Sequence, residues 1–332
     1  MHESAEPRVT ISYYKYHQLP NPHFFRNHLY THFEALGVLG RIYVAREGIN
    51  AQISVPQKHL DAFRSCLNDI SFLANIRLNY AIEDNGKSFF KLIIKVREKI
   101  VADGINDPLF NPSDTGKHLD AAEFNKLIQQ KDTVLVDMRN HYESEVGHFE
   151  GAICPDVVTF RESLPIISEM LEQHKDKNLV MYCTGGIRCE KASAFLKYKG
   201  YKNVFQLNGG IIEYTRQVKE QHLENKFLGK NFVFDERMGE RISEQVISTC
   251  HQCGKPCDVH VNCRNDQCHI LFIQCAECAE KYEQCCSVRC ADFTKLNPQE
   301  RQSLSSQLLF NGSKFSKGRY KAMHKDEPLI LH

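Results

Sequence analysis

The run Met181-Tyr182-Cys183-Thr184-Gly185-Gly186-Ile187-Arg188-Cys189-Glu190 sets two thiols and a guanidinium around a pair of glycines. The apolar residues before it read as a buried strand, and those after it as a helix over 187–199. Peptide N–H groups of a short Gly-rich loop converge on one point, and the helix start adds its positive end. A thiolate, persulfide or oxyanion at Cys183 is stabilised in such a place. Arg188 can add positive charge there, or neutralise a nearby carboxylate and hold the loop. Cys183 as the plain end of a buried strand leaves the two glycines unexplained. Cys189 falls in the first turn of the helix, either as packing or as a resolving thiol that attacks an oxidised or persulfidated sulfur.

A second concentration of sulfur lies downstream. Of fourteen cysteines, ten fall in one segment: Cys250, Cys253, Cys257, Cys263, Cys268, Cys275, Cys278, Cys285, Cys286 and Cys290, with His251, His260 and His269 among them. A two-residue gap, as in Cys250-His251-Gln252-Cys253 and Cys275-Ala276-Glu277-Cys278, lets both thiolates face one ion. Four sulfurs at about 2.3 Å then make a closed tetrahedral zinc site. A subset of the ten is therefore expected to hold structural zinc, in one site or two. An iron-sulfur cluster and redox disulfides are the alternatives, and metal analysis separates them. Catalysis at an all-thiolate metal is not expected, because no coordination position is open.

The elements that position these groups divide the chain. At 332 residues it has room for two or three domains. Strands at 9–16, 40–45, 51–55 and 89–96, with helices at 23–36 and around 59–67, follow the ferredoxin-like split order. Glu47-Gly48-Ile49-Asn50 reads as the turn between the second and third strands. Residues 101–124 are a linker and the start of a helix, opened by an Asp120/Glu123 capping box. From 125 to 225, the near-continuous apolar strands 133–137, 178–183 and 203–207 alternate with helices, which predicts a parallel sheet covered on both faces. Residues 226–332 lack the apolar mass for a core of their own, so bound metal or packing on the other domains is expected to hold them. The predicted class is a multidomain α+β chain: a ferredoxin-like domain over 1–100, an α/β domain and a Cys-rich metal-binding region.

Charge excludes little: 42 basic and 41 acidic residues leave a formal charge of +1, so attraction for nucleic acid must be local. Two clusters qualify, Lys91, Lys95, Arg97 and Lys99 at the fourth strand and Lys314, Lys317, Arg319 and Lys321 near the C-terminus. Tyr14, Tyr16, Phe315 and Tyr320 accompany them, a combination that can bind phosphates and stack an unpaired base, or else is solvated surface. The acidic N-terminal segment has no signal-length apolar run, and no stretch is long enough to span a membrane, so a cytoplasmic location without membrane association is expected.

Asp137-Met138-Arg139-Asn140, Gly147-His148-Phe149-Glu150-Gly151-Ala152-Ile153, Cys183 to Arg188 and Leu207-Asn208-Gly209-Gly210-Ile211 together resemble a rhodanese domain. The resemblance implies that Cys183 is the nucleophile, that Thr184, Gly185, Gly186, Ile187 and Arg188 form its loop, and that Asp137 and Arg139 support it. The stretches Gly40 to Asn50, Phe232 to Arg241 and Cys250 to Cys253 extend the likeness almost end to end, to the bacterial tRNA uridine 34 hydroxylase family. Membership implies oxygen-dependent hydroxylation of the wobble uridine at C5 to 5-hydroxyuridine. Molecular oxygen is then a co-substrate, the tRNA anticodon region the partner, and no flavin or nucleotide cofactor is expected. The alternatives are a sulfurtransferase working through a Cys183 persulfide and a non-enzymatic tRNA-binding or sulfur-carrier protein.

Overall fold

The computed structural model describes residues 6–84, 86–107, 109–305, 308–312, 319–322 and 325–329. They divide into two compact units whose segments interleave along the chain: 1–140, 150–226 and 233–241 form the first, and 141–149, 227–232 and 242–332 the second.

The first unit opens with a strand whose side chains alternate in burial. Along β1 (Arg8–Tyr16), Ile11 and Tyr13 enter a core while Ser12 and Tyr14 face the other way. The core side is covered by α1 (Pro22–Ala35), started by an Asn21 cap and Pro22, and by α2 (Leu60–Asn68); Leu29, Phe33 and Phe63 are fully buried there. β1 pairs antiparallel with β3 (Gly48–Pro56), and β3 with β2 (Leu39–Ala45). The register Tyr16↔Gly48 carries the ladder up to Gly48, so the turn is tighter than expected and Gly48, Ile49 and Asn50 belong to the strand. The five-stranded order runs β4-β1-β3-β2-β5. The apolar run expected as the fourth strand is β5 (Leu92–Val96), parallel to β2 at the far edge. Beside β1 lies instead the two-residue β4 (Asn79–Tyr80), too short and polar to stand out by pattern.

The rest of this unit is built on a parallel sheet, as the apolar strands predict. Its order is β6-β10-β9-β7, from β6 (Lys117–Leu119), β7 (Thr133–Asp137), β9 (Asn178–Tyr182) and β10 (Val204–Leu207). β6 lies within the segment read as a linker. Helices α3 (Ala121–Ile128), α5 (Phe160–Met170), α6 (Ile187–Tyr198) and α7 (Gly210–Gln221) accompany the sheet. The Asp120/Glu123 capping box at α3 is present, with Asp120 accepting from the Glu123 N–H. Val136, Leu179 and Met181 form a core with Leu164, Ala192 and Leu196. β12 (Glu240–Arg241) closes the unit.

In the second unit α4 (His141–Ser144) precedes β8 (Gly147–Phe149), which pairs antiparallel with β11 (Phe227–Asn231). A hairpin of β13 (His260–Asn262) and β14 (Leu271–Ile273) and the short helices α8 (Ala276–Lys281), α9 (Val288–Lys295) and α10 (Pro298–Leu304) follow. Ile270, Phe272 and Ala291 pack among Cys263, Cys268, Cys285, Cys286 and Cys290, so sulfur makes up much of this small core. Among the described residues no helix is long and apolar enough to cross a membrane.

Candidate functional site

Cys183 sits where β9 ends, and the loop 184–186 folds its own backbone onto the sulfur. The Gly186 N–H donates to Cys183 Sγ at 3.1 Å, and N–H groups of Arg188 and Cys189 at the start of α6 do the same. Gly186 takes φ +97°, a left-handed conformation that suits glycine. From the other side the first turn of α7 donates to the loop: Ile211 N–H to Cys183 O at 3.0 Å and Ile212 N–H to Thr184 O at 3.2 Å. A Cβ at Gly210 would lie 2.5 Å from that Cys183 oxygen, which accounts for the second glycine of Asn208-Gly209-Gly210. Burial pushes the Cys183 thiol up. The Cys189 S–H, the Arg188 guanidinium and the loop N–H groups outweigh it and bring Cys183 down to about 6. Cys189 moves the opposite way, held well above its ordinary value by burial and by the thiolate it faces.

Asp137 and Arg139 form a buried ion pair with contacts of 2.6 to 3.1 Å. The Arg139 guanidinium lies over the Tyr182 ring, and the Met138 N–H bonds Tyr182 O at 2.9 Å, so this corner anchors the residue before Cys183.

The cavity in front of Cys183 has a volume of about 250 Å³, and the polar face of the N-terminal sheet forms much of its wall. Strand alternation explains why. Asn79, Ser12 and Gln52 are register partners across β4, β1 and β3, and Tyr14, Asn50 and Tyr43 across β1, β3 and β2. All six line the cavity, opposite Cys183, Thr184, Gly185, Ile187 and Arg188, with Phe234 and Arg237 alongside. Arg188 reaches Thr184 Oγ1 at 3.5 Å and lies 6.0 Å from the Phe234 ring centre. Asn79 is buried, and its Oδ1 has no hydrogen-bond partner among the described residues. Sequence reasoning placed Asn50 in a turn and gave Asn79, Gln52 and Tyr43 no part in the site. The period-two pattern of Ile11-Ser12-Tyr13-Tyr14 was the available signal, because it defines a polar face that needs a use.

The sheet and the loop are tied together on both sides. Tyr14 donates to Glu190 at 2.9 Å, and Glu190 also meets His118 at 3.0 Å. That bond holds His118 above its ordinary value, while Glu190 stays below its own despite burial. On α6 the buried Lys191 ammonium bonds Glu47 at 2.8 and 2.9 Å and Asp103 at 2.5 Å. Removing one partner of such a buried pair costs about 3–5 kcal/mol. A second hollow of about 410 Å³ is lined by Lys15, Tyr14, Tyr16, Arg77, Glu190 and Gly185.

The expected basic clusters fare unevenly. Lys91 and Lys95 are exposed, Arg97 lies over the Tyr43 ring, and Lys99 is committed to Asp103 at 2.5 Å. Arg319 and Lys321 are exposed beside a 440 Å³ hollow of the second unit that includes Tyr320, His251 and Phe272. Lys314, Phe315 and Lys317 fall outside the described residues.

Eight of the ten late cysteines gather into two candidate metal centres. Cys250, Cys253, Cys275 and Cys278 form one and Cys263, Cys268, Cys286 and Cys290 the other, with sulfurs within 4.8 Å of one another in each. Cys253 and Cys275 sulfurs are 3.6 Å apart; Cys268 and Cys290 each lie 3.7 Å from Cys286. Four bonds of about 2.3 Å around a tetrahedral ion would separate sulfurs by about 3.8 Å. The donor sets fit such an ion, and all fourteen cysteines are free thiols. N–H groups point at the sulfurs as well, Cys275 N–H at Cys250 and Cys286 N–H at Cys263, both at 3.4 Å. Pairs alternate along the chain, the first and third serving one centre and the second and fourth the other. Cys257 and Cys285 belong to neither group.

Family models match in three stretches: "UPF0176 acylphosphatase like domain" over 8–100, "Rhodanese-like domain" over 120–217 and "Rhodanase C-terminal" over 228–291. A tRNA uridine(34) hydroxylase of Pectobacterium carotovorum is 58% identical over 316 residues, covering 93% of this chain and 89% of its own. One from Yersinia pestis is 57% identical over 329 residues, covering 98% and 92%. Among solved structures, a rhodanese-like domain from Anabaena aligns over 34% of this chain and 78% of its own, at 19% identity and TM-score 0.28.

Proposed function

Since the chain belongs to the tRNA uridine(34) hydroxylase family, we propose that it is an enzyme that hydroxylates uridine 34 of tRNA at C5, with dioxygen as oxidant and Cys183 engaging the base. The observation that carries this reading is a thiolate-forming cysteine at a cavity lined on its far side by amide and aromatic side chains. A wobble base is unpaired in the anticodon loop, so it can enter a pocket without breaking a duplex. Tyr14 and Tyr43 offer ring surface for it. The buried, unpartnered Asn79 Oδ1 offers an acceptor for the uracil N3–H.

Within that pocket the Cys183 thiolate adds to C6 of the uracil. The electron pair moves to C5 and O4 as an enolate, which the Arg188 guanidinium and nearby donors stabilise. C5 thereby becomes the electron-rich carbon that dioxygen attacks. Lys15 and Arg77 line the hollow that Gly185 shares, where they can meet flanking phosphates. Asp137 and Arg139 act as support only. The 4-1-3-2 order of the first four strands supports a ferredoxin-like reading of the N-terminal domain, with β5 added. Zinc suits both tetrathiolate sets, where it would supply structural cross-links and no chemistry. The cytoplasm, which holds tRNA and keeps thiols reduced, is the fitting location.

The test is incubation with unmodified tRNA under isotopically heavy dioxygen, followed by nucleoside mass spectrometry. Heavy oxygen in 5-hydroxyuridine at position 34, lost with Cys183→Ser, is the expected result. Product without the label, or sulfur in place of oxygen, overturns the reading.

A further inference from the structure

Hydroxylation by dioxygen places one oxygen atom in the base and leaves a second that must gain two electrons. We infer that Cys183 and Cys189 supply those two electrons, closing a disulfide in each turnover; the inference rests on the C5 hydroxylation proposed above.

The two sulfurs are near neighbours, Cys189 lying in the first turn of the helix that starts from the Cys183 loop, and after burial each is the other's strongest influence. Both side chains are fully buried, yet only Cys183 lines the cavity, with Cys189 behind it in the first turn of α6. A reagent in the cavity therefore meets Cys183 first, and Cys189 can act only through that sulfur. Their protonation states are complementary. Cys183, near 6, is a thiolate at neutral pH, whereas Cys189 keeps its proton until a leaving group takes it.

The chemistry balances in five steps. Thiolate addition at C6 makes the enolate, and its C5 with dioxygen and a proton gives the C5 hydroperoxide. Loss of the C5 proton and cleavage of the C6–S bond restore the ring double bond and release Cys183 as thiolate. That thiolate then takes the distal peroxide oxygen: the O–O bond breaks, an S–O bond forms, and protonation of C5–O⁻ yields 5-hydroxyuridine with a Cys183 sulfenic acid. Finally the Cys189 sulfur attacks Cys183, the S–O bond breaks, and hydroxide leaves with the Cys189 proton as water. The sum is uridine, dioxygen and two thiols to 5-hydroxyuridine, water and one disulfide. An external thiol must then reduce the bridge.

The experiment uses full-length, fully reduced protein with unmodified tRNA, in air and without added reductant. Expected is one equivalent of 5-hydroxyuridine per chain and a matching equivalent of Cys183–Cys189 disulfide by peptide mapping. With Cys189→Ala the disulfide is replaced by a Cys183 sulfenic acid that dimedone traps. Product formed while both wild-type thiols stay free overturns the inference and leaves the hydroxylase reading standing. Repeated turnover without reductant does the same. Absence of any 5-hydroxyuridine from wild-type protein overturns both.

Discussion

At Cys183 the sulfur accepts an N–H at 3.1 Å and looks into a cavity. In the 250–290 segment, sulfurs such as Cys268, Cys286 and Cys290 lie 3.7 Å from a sulfur neighbour and look inward. The element is the same and the neighbours differ. Peptide N–H groups and a guanidinium stabilise one negative charge without consuming the sulfur's reactivity, because they leave a lone pair facing open space. Four converging thiols repel one another as thiolates until a cation joins them, and the cation then occupies every lone pair that matters. Reactivity and cross-linking are thus alternative outcomes of what surrounds a thiol.

The sharpest way to break this comparison is to exchange outcomes by substitution. Cys183→Ser is expected to lower hydroxylation about a thousandfold or more, since the nucleophile is lost. Bound metal, read by elemental analysis, should stay at two equivalents. A fall in metal content would mean that the regions are not chemically separate.

Cys286→Ser tests the other side. Its parent is fully buried in the small core of the second unit. Structural zinc contributes about 10–16 kcal/mol in small metal-dependent modules, comparable to the whole stability of a domain. Loss of at least one metal equivalent and rapid proteolysis within 250–329 are expected, with a chelator reproducing both in wild-type protein. A protease-resistant, metal-depleted chain would contradict a structural role.

Legibility in the sequence followed the same division. The loop was readable because its requirements are local: a strand end, two glycines and a helix start within ten residues. The parallel strands were readable as apolar runs, and the Asp120/Glu123 box as a cap. The opposite wall of the cavity was not, because Asn79, Asn50 and Tyr43 meet only through strand register. Register depends on pairings such as Ser12↔Asn79 that span most of the N-terminal domain. The late cysteines stood out as metal ligands, but which four share an ion depends on how the alternating pairs fold back. Lys99 shows the limit of counting charge, since its partner Asp103 comes from a segment read as linker.

A smaller effect sharpens the electrostatic half of the comparison. The alkylation rate of Cys183 with iodoacetamide should fall as pH drops through about 6, because only the thiolate reacts. Arg188→Gln removes one of the groups that hold the thiol down, so the midpoint should move upward. The loop N–H groups and the Cys189 S–H remain, so it should stay below that of Cys189. An unmoved midpoint would assign the stabilisation to the backbone and the neighbouring thiol alone.

The smallest effect belongs to Cys257, which lies between the ligand pairs yet outside both centres. Its thiol is pushed up by burial, against a Val259 N–H that bonds the sulfur, while its backbone donates N–H to Ser248 O at 3.1 Å and accepts from Ser248 Oγ at 2.6 Å. Cys257→Ala keeps the backbone bonds and deletes the sulfur with its Val259 contact, a volume change near that of one methylene, worth about 1 kcal/mol in a buried site. Metal content should hold at two equivalents and melting should shift by a few degrees at most. If instead a metal equivalent disappears, Cys257 is a ligand and the division of the ten cysteines into two closed sets of four fails. The substitution therefore tests whether convergence of sulfurs, and not mere abundance of cysteine, selects the metal ligands.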